Sequence, residues 1–310
     1  MKILVTGGAG FIGSHVVDIL VAEGHQVSIV DNLWELGGGR MKHVNPQTQF
    51  YQVDVRDAAL ADIFEKERPE AVCHLAAQHS VKISGDDPVH DAQVNVLGLI
   101  NLLQCCTRFG TRKVVFSSSG AIYGTVDEMP IDENTPQRPQ SPYGITKMAS
   151  EYYLRFWREA HGLDFTSLRY GNVYGPRQDP TGEAGVIAIF AHAILRGEPV
   201  RIDWDGEQQK DYVYVCDAAR SNLLALTCGS GEPFCIATGR GTSVNALYRG
   251  LVDVIGHEVE IVHAPKRPGD VYLSYFDCRK AEEQIGWKAE VDLEEGLRLT
   301  VDYFRSVDNG

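Results

Sequence analysis

The stretch that decides the fold is KILVTGGAGFIGSHVVDIL, residues 2–20. Lys2–Thr6 is a short apolar run typical of a buried strand, and apolar residues at helical spacing then run from Ile12 to a glycine stop at Gly24. Between them, Gly8–Gly13 fits the spacing G-x-G-x-x-G. Such glycines let the backbone approach a pyrophosphate at a helix N-terminus. The stretch therefore predicts a dinucleotide site.

The end of the next predicted strand, Gln26–Asp31, supports this interpretation. Its last residue, Asp31, lies eighteen positions past Gly13. A carboxylate there accepts hydrogen bonds from both hydroxyls of the adenosine ribose and repels a 2′-phosphate. The sequence therefore predicts NAD as the cofactor and disfavours NADP.

The remaining chain indicates the fold class. Further strands are expected at Gln49–Asp54, Ala71–Ala76, Lys113–Ser118 and Asp164–Tyr170, and helices at Ala58–Glu67, Val89–Phe109 and Tyr143–His161. This alternation is typical of βαβ units and a parallel sheet. We expect an α/β protein with a Rossmann-type doubly wound parallel sheet in residues 1–170, to which some later segments return. Residues 171–310 should form mainly a smaller C-terminal α/β substrate lobe.

A second motif carries chemistry. Ser117-Ser118-Ser119 ends a predicted strand, and Tyr143 and Lys147 follow four residues apart on a predicted helix. At this spacing both side chains lie on one helix face. An ammonium group near a phenol favours the phenolate, and a positively charged nicotinamide would favour it further. The pair is suited to general acid–base work on a sugar hydroxyl.

Composition limits the partners. The 310 residues carry a net charge of −13, which disfavours a nucleic-acid partner. Apolar runs such as Ile187–Leu195 are too short to span a membrane, and no leader-like apolar segment follows Lys2. Seven scattered cysteines without a C-x-x-C pair predict reduced thiols in a cytoplasmic protein. The histidines lack metal-ligand spacing, so no metal is expected.

Several further motifs identify a resemblance. They are HLAA at 74–77, SSSGAIYG at 117–124, SPYGITK at 141–147, LRYGNVYGPR at 168–177 and RPGD at 267–270. Together with Thr6–Gly13 they resemble the extended short-chain dehydrogenases/reductases that act on nucleotide sugars, most of all the UDP-glucose (galactose) 4-epimerases. The resemblance covers nearly the whole chain. It implies bound NAD, a UDP-sugar substrate, and an isomerase.

The resemblance also implies roles for individual residues. Tyr143 would be the base and acid, Lys147 its partner, and Ser119 a donor to the reacting oxygen. The implied cofactor-binding residues are Gly7, Gly10, Phe11, Ile12, Gly13, Asp31, Asn32, Asp54, Val55, Leu75, Ala76, Ala77, Asn95, Ser117, Tyr143, Lys147 and Tyr170. The implied substrate-binding residues are Ser119, Tyr143, Asn172, Lys210, Arg267, Asp270 and Ser274.

The dipeptide after Ser119 separates the reactions of this superfamily. Dehydratases that resemble this chain have Asp-Glu there, and decarboxylases keep a Glu, whereas this chain has Gly120-Ala121. Neither residue can move a proton, so 4-epimerisation through a transient 4-keto sugar is expected. The alternatives are an epimerase of another nucleotide sugar such as UDP-glucuronate, a nucleotide-sugar reductase and, last, a non-catalytic NAD-binding sensor.

The chain departs from its relatives at two positions. Lys210 stands where they usually have arginine, and Asp203 where many have an aromatic residue against the base. Small Ser274 predicts that N-acetylated sugars are accepted, because relatives restricted to hexoses have a tyrosine there. The alternative is that a neighbour such as Tyr272 or Tyr275 fills this space. Relatives often dimerise through two helices that correspond here to Val89–Phe109 and Tyr143–His161. We therefore expect a homodimer. The apolar residues Leu154 and Trp157 would be exposed if they belong to its interface, and the alternative is that they are ordinary core residues.

Overall fold

A seven-stranded parallel sheet lies at the centre of the computed structural model, which describes residues 1–181, 185–266 and 271–308. In spatial order the strands are β3 (Gln49–Gln52), β2 (Gln26–Asp31), β1 (Lys2–Thr6), β4 (Ala71–His74), β5 (Lys113–Ser119), β6 (Asp164–Tyr170) and β10 (Glu232–Ile236). The order 3-2-1-4-5-6 is that of a Rossmann sheet, here extended by one strand. The predicted fold class is confirmed.

Helices cover both faces of this sheet. The helices of the described residues are α1 (Phe11–Ala22), α2 (Leu60–Glu67), α3 (Val81–Asp86), α4 (Pro88–Ala92), α5 (Gly98–Phe109), α6 (Pro142–His161), α7 (Val186–Leu195), α8 (Val215–Ala225), α9 (Val244–Ile255), α10 (Arg279–Ile285) and α11 (Leu293–Asp308). Of these, α7, α9 and α11 pack in the smaller part and not on the central sheet. Alternate residues of β1 show why both faces are buried. Ile3 and Val5 belong to the apolar cluster that includes α1 and α8, and Leu4 belongs to the cluster on the α2, α5 and α6 side.

The second half of the chain contributes to both parts of the molecule. Strand β10 pairs with β6 in the central sheet. The smaller part contains β7 (Asn172–Tyr174), β8 (Val200–Asp203), β9 (Gln209–Tyr214), β11 (Gly241–Ser243), β12 (Ile261–Ala264) and β13 (Leu273–Ser274). Strand β9 pairs with β7, β11 and β13, and β8 pairs with β12. A third apolar cluster lies among these strands and α7, α9 and α11.

The predicted helix Val89–Phe109 differs most from the structure. It is formed by α4, a π-helical turn over Gln93–Leu97, and α5. Such single π turns frequently occur at functional sites. Asn95 lies in the middle of this turn and is buried. The turn therefore fixes a polar side chain inside the protein at the point where the helix passes the sheet edge.

The expected exposure of Leu154 and Trp157 is wrong. Their side chains are 1% and 9% exposed and pack in the cluster between α6 and the sheet. They lie one turn apart on the helix face that also carries buried Lys147 and Ser150. Among the described residues, no helix is long and apolar enough to cross a membrane.

Candidate active site

Three of the four glycines in the loop after β1 and the first turn of α1 have different physical requirements. Gly7 has a φ of +71°, and a Cβ there would lie 2.6 Å from the backbone nitrogen of Ala76. A Cβ on Gly13 would overlap the carbonyl oxygen of Gly7. Gly10 is different, because its Cβ would meet only that oxygen, at 3.2 Å. The packing of the protein thus requires glycine at positions 7 and 13. At position 10 the protein has room for a side chain, so glycine there leaves open space beside the loop.

That space lies at the start of α1. Gly10 is the N-cap residue, and no side chain caps the helix. The first N–H groups of a helix and its dipole form an anion site. Strand β1 also lies between β2 and β4, which is the switch point where doubly wound sheets bind dinucleotides. The pyrophosphate of NAD therefore fits this cradle, and Phe11 and Ile12 supply backbone N–H groups there.

Asp31 lies beside the glycine loop, as the sequence predicts. Its Oδ2 accepts a hydrogen bond from the backbone N–H of Ala9 at 3.0 Å, and its Oδ1 accepts one from Leu33 at 2.8 Å. Burial raises the pKa of this carboxyl, while the two backbone hydrogen bonds act to lower it. A carboxylate accepts about four hydrogen bonds. Asp31 can thus hold the loop and still accept ribose hydroxyls.

The adjacent residues form the adenosine end of the groove. Asn32 is exposed and donates to Oδ2 of Asp54 at 2.8 Å. Arg56 also binds Asp54, and this interaction lowers the pKa of the Asp54 carboxyl to about 2. Val55 is buried beneath this pair. The structure therefore brings Asp31, Asn32 and Asp54 to one region.

Ser119, Tyr143 and Lys147 meet where β5 ends and α6 begins. Ser119 is the last residue of β5, and Tyr143 lies in the first turn of α6, which Ser141 caps. The Ser119 hydroxyl lies near the Tyr143 phenol and acts to lower its pKa. The Nζ of Lys147 donates to the carbonyl oxygen of Ser117 at 2.7 Å and lies 5.8 Å from the centre of the tyrosine ring. The arrangement is suited to proton transfer at the phenol oxygen.

Burial controls the protonation of this pair. It raises the pKa of Tyr143 to about 12, although the Ser119 hydroxyl acts in the opposite direction. Burial also lowers the pKa of Lys147 to about 8. In the protein alone the phenol therefore stays protonated at neutral pH, and the nearby ammonium does not suffice to ionise it. A further positive charge at the ring is required for the phenolate.

The other implied cofactor residues lie along the same sheet edge. Leu75, Ala76 and Ala77 follow β4, and the backbone N–H of Leu75 donates to the carbonyl oxygen of Thr6 at 3.0 Å. Tyr170 pairs in register with Ser119 across β5 and β6. Its hydroxyl accepts a hydrogen bond from Asn222 at 2.7 Å. The side chain of Tyr170 is thus fixed on the strand next to Ser119.

Gly120 lies against an aromatic side chain from the smaller part. A Cβ at this position would lie 2.5 Å from Cζ of Phe276, which is itself buried. Tyr123 packs on the other side of Phe276, with 6.2 Å between ring centres. An acidic side chain at position 120 would therefore need this aromatic pair to move.

Three of the implied substrate residues lie on strands of the smaller part. Asn172 begins β7 and is exposed, and Ser274 pairs with Lys210 across β13 and β9. The Nζ of Lys210 donates to the carbonyl oxygen of Val271 at 2.6 Å. The other two implied residues, Arg267 and Asp270, lie outside the described residues. The three described residues share one connected sheet.

Asp203 and the aromatic residue that follows it both have defined contacts. Asp203 is buried and pairs with Arg201 at 2.7 Å. The next residue, Trp204, has a φ of +65°, which is an outlier for a bulky side chain. Its ring packs against Tyr272 at 4.7 Å, and the Nζ of Lys266 lies 4.2 Å from the ring centre. An aromatic surface is thus present one residue later than in many relatives.

Two buried carboxylates near the site were missed in the sequence. Glu151 binds Arg169 through both oxygens, at 3.0 and 2.6 Å, and also accepts from Ser118 at 2.6 Å. Asp91 accepts a hydrogen bond from Thr146, which lies between Tyr143 and Lys147 on α6. Glu151 could have been predicted from Arg169, because a charged residue within an otherwise buried strand indicates a buried partner of opposite charge. The sequence gives no comparable signal for Asp91.

Comparisons with known proteins extend over both parts of the molecule. A family profile described as GDP-mannose 4,6 dehydratase matches residues 4–300. The UDP-glucose 4-epimerase of Mycolicibacterium smegmatis is 42% identical over 99% of both chains. The structure of the Thermotoga maritima UDP-glucose 4-epimerase with UDP-glucose is 51% identical over 99% of both chains, with a TM-score of 0.97. The Thermus thermophilus UDP-glucose 4-epimerase in complex with NAD is 45% identical over 98% of this chain and 99% of that one, with a TM-score of 0.94.

Proposed function

This chain belongs to the UDP-glucose 4-epimerase family of the extended short-chain dehydrogenases/reductases, and we propose that it inverts C4 of UDP-glucose and UDP-galactose with bound NAD. One observation carries the proposal. The glycine loop and Asp31 lie at the same edge of one sheet as Ser119, Tyr143 and Lys147. A dinucleotide bound along that edge reaches from the ribose site at Asp31 to the proton-transfer site at Tyr143.

The residues of this chain carry the proton transfers. Bound NAD supplies a hydride acceptor and donor for sugar C4, together with the positive ring that Tyr143 requires. Tyr143 takes the proton of the 4-hydroxyl and later returns it from the same oxygen. Ser119 donates to the sugar oxygen, and Lys147 stabilises the phenolate and fixes the cofactor ribose. The transient 4-keto sugar turns before reduction, so reduction from the opposite side inverts C4.

The smaller part is suited to hold the nucleotide. We propose that residues 1–170, together with β10, hold NAD and that residues 171–310 mainly hold the nucleotide sugar. Asn172 and Lys210 would then bind the diphosphate with Arg267 and Asp270. Because UDP would be the fixed end, the sugar is free to present either face.

Ser274 supports acceptance of N-acetylated sugars. Its small side chain lies on β13 beside Lys210, whereas a bulky residue would occupy volume that an acetamido group needs. The next residue, Tyr275, points toward Gly241, where a Cβ would lie 3.1 Å from its ring. We propose that the space at Ser274 stays available to the substituent at sugar C2.

Product analysis tests the reaction. Purified protein is incubated with UDP-glucose or UDP-galactose, and the nucleotide sugars are separated by chromatography. We expect interconversion of the two sugars, co-purified NAD, and no 4-keto-6-deoxy product, since position 120 has neither an acid nor room for one. Accumulation of a 4-keto-6-deoxy sugar would contradict the proposal, as would the absence of interconversion.

A matched pair of tyrosine variants tests the assigned base. Tyr143→Phe should lower kcat by about 10²–10⁴-fold or more, while binding of UDP-sugar stays close to wild type. Tyr303→Phe is the control, because Tyr303 lies on α11 of the smaller part, where its ring packs against Phe304. Wild-type kcat in Tyr143→Phe would exclude this residue as the base.

We also propose a homodimer in the cytoplasm. Apolar side chains are exposed on α6 and on the neighbouring segment of α4 and the π turn; they are Val89, Leu97, Ile145, Tyr152, Tyr153 and Phe156. A patch of this kind marks an interaction surface. Phe156→Asp should shift the mass in solution from dimer to monomer, whereas the control Val262→Asp, at an exposed position on β12, should not.

Seven free thiols fit a reducing compartment.

A further inference from the structure

A buried carboxylate lies behind the turn that carries Tyr143 and Lys147. Asp91, near the end of α4, is fully buried. Its Oδ1 accepts hydrogen bonds from the amides of Gln78 at 2.7 Å and Asn95 at 3.0 Å, and its Oδ2 accepts one from the hydroxyl of Thr146 at 2.8 Å. The three donors are neutral groups, so these hydrogen bonds bring no counter-charge to the carboxylate. Burying a charge is costly, and this arrangement calls for an explanation.

The three donors belong to three segments that the proposed function uses. Gln78 directly follows Leu75–Ala77, Asn95 is the centre of the π turn, and Thr146 lies between Tyr143 and Lys147. Gln78 and Asn95 are also joined to each other, because each donates to the other at 2.9 Å. Asp91 is therefore the common acceptor that joins the loop after β4, the π turn and the first turn of α6.

We propose that Asp91 is a positioning residue for the epimerisation: its carboxylate holds Thr146 so that Tyr143 and Lys147 stay in register with the loop Leu75–Ala77, and its charge acts on both. This inference rests on the proposed function. A displacement of about 1 Å in a catalytic group can cost on the order of 10²-fold in rate. A fixed acceptor next to the reacting pair prevents such a displacement.

The charge of Asp91 acts to raise the pKa of both groups, which favours the ammonium of Lys147 and disfavours the phenolate of Tyr143. Burial lowers the pKa of Lys147, and Asp91 acts to raise it, so the ammonium is retained to higher pH. Burial raises the pKa of Tyr143, and Asp91 raises it further. Removing the negative charge should therefore lower both pKa values.

Other charged groups that face this turn contribute little. His74 faces Lys147 from β4, but burial, together with the charge of Lys147, lowers the pKa of His74 to about 3. The imidazole is therefore neutral at neutral pH. Glu151, one turn further along α6, is held by Arg169 from β6. Asp91 is thus the group whose charge most directly sets the pH behaviour of the pair.

Asp91→Asn tests the charge at nearly constant shape. In the NAD-loaded enzyme with UDP-galactose, we expect kcat to fall by about 10–100-fold with KM changed less than about threefold. Both limbs of the kcat–pH profile should move to lower pH. Asp87→Asn is the matched control, because this exposed aspartate on the same segment caps α4 and lies outside the network. It should leave kcat and its pH profile unchanged.

Two variants of Thr146 test the hydrogen bond separately. Thr146→Val removes the hydroxyl and should lower kcat without moving the pH limbs, whereas Thr146→Ser keeps the hydroxyl and should restore most of the rate. Bound NAD and Tm are measured for every variant. The inference would be overturned if Asp91→Asn had the kcat and the kcat–pH profile of the wild type. It would also be overturned if kcat fell only in proportion to a fall in Tm, while the kcat–pH profile stayed unchanged. A wild type that does not epimerise UDP-hexoses would instead overturn the proposed function, and this inference with it.

Discussion

Substitutions at Gly10 and Gly13 should affect different properties: Gly13 is needed for the packing of the protein, and Gly10 for the binding of NAD. In Gly13→Ala the new methyl group would overlap the carbonyl oxygen of Gly7 and lie 3.1 Å from Cα of Gly8. Both neighbours are backbone atoms, which cannot rotate away. In Gly10→Ala the nearest atom is the same oxygen, at 3.2 Å, and the backbone angles of −82° and −177° suit alanine. We therefore predict a loss of stability for the first variant and a loss of NAD affinity for the second.

The expected magnitudes differ clearly. Overpacking costs about 1–3 kcal/mol, and overlap with backbone places Gly13→Ala at about 3 kcal/mol. At about 2 °C per kcal/mol for a chain of this size, Tm should fall by about 6 °C. Alanine in place of glycine at an N-cap costs about 1 kcal/mol or less, so Gly10→Ala should lower Tm by about 2 °C at most. Its methyl group stands where the pyrophosphate would bind, so NAD affinity should fall at least about tenfold, which is about 1.4 kcal/mol.

Two measurements on NAD-free protein check these values. Thermal unfolding gives Tm for the wild type and both variants, and titration calorimetry with NAD gives Kd for the wild type and Gly10→Ala. If Gly10→Ala binds NAD as tightly as the wild type, the helix N-terminus is not the pyrophosphate site. If both variants lower Tm equally, the distinction between the two glycines is wrong.

Three further predictions concern the cofactor, the substrate and pH. Asp31→Ala should weaken NAD binding and relieve the exclusion of NADP, as measured by Kd for both cofactors; equal affinity of the wild type for the two would contradict this. Ser274→Tyr should lower kcat/KM for UDP-N-acetylgalactosamine relative to UDP-galactose, and an unchanged ratio would exclude Ser274 as the gate. The pKa of Lys147, lowered from 10.5 to about 8, means that the native state binds fewer protons than the unfolded state between these values. Relative to Lys147→Met, the free energy of unfolding of NAD-free wild type should thus rise by about 3 kcal/mol from pH 8 to 10.5, and parallel denaturant curves would refute this.

Local patterns predicted the fold and the cofactor side of the site because each depends on residues near one another in sequence. The glycine loop, the strand that ends at Asp31 and the Tyr143–Lys147 spacing are of this kind. The buried face of α6 is different. Apolar residues occur around much of the helix, with Leu154 and Trp157 inside and Tyr152 outside. Contact with the sheet determines which of these helix faces is buried. The spacing of apolar residues along the sequence carries no information about that contact.

Buried charge was the second feature beyond the reach of sequence. Asp91 and Asp211 are both fully buried carboxylates. Asp211 accepts hydrogen bonds from the backbone N–H groups of Thr238 and Gly239, at 2.7 and 2.9 Å. Their donors are distant in the chain or belong to the backbone, so residue types alone do not reveal them. The raised pKa of Tyr143 could not be predicted from sequence either, because it results from burial. The four-residue spacing predicts the Lys147 ammonium nearby, but the effect of burial on the pKa is larger.

The choice of reaction is where sequence and structure combine. The sequence indicates that Gly120 has no group to transfer a proton, which removes the acid for eliminating water. The structure adds that Phe276 occupies the space a larger residue would need, and that Phe276 follows closely after Ser274 on the segment beyond β13. The smaller part therefore does more than bind the nucleotide. Its Phe276 side chain occupies the space that an acidic residue at position 120 would need for the elimination of water. The Rossmann edge supplies oxidation and proton transfer, and the packing of the second part limits this chemistry to inversion.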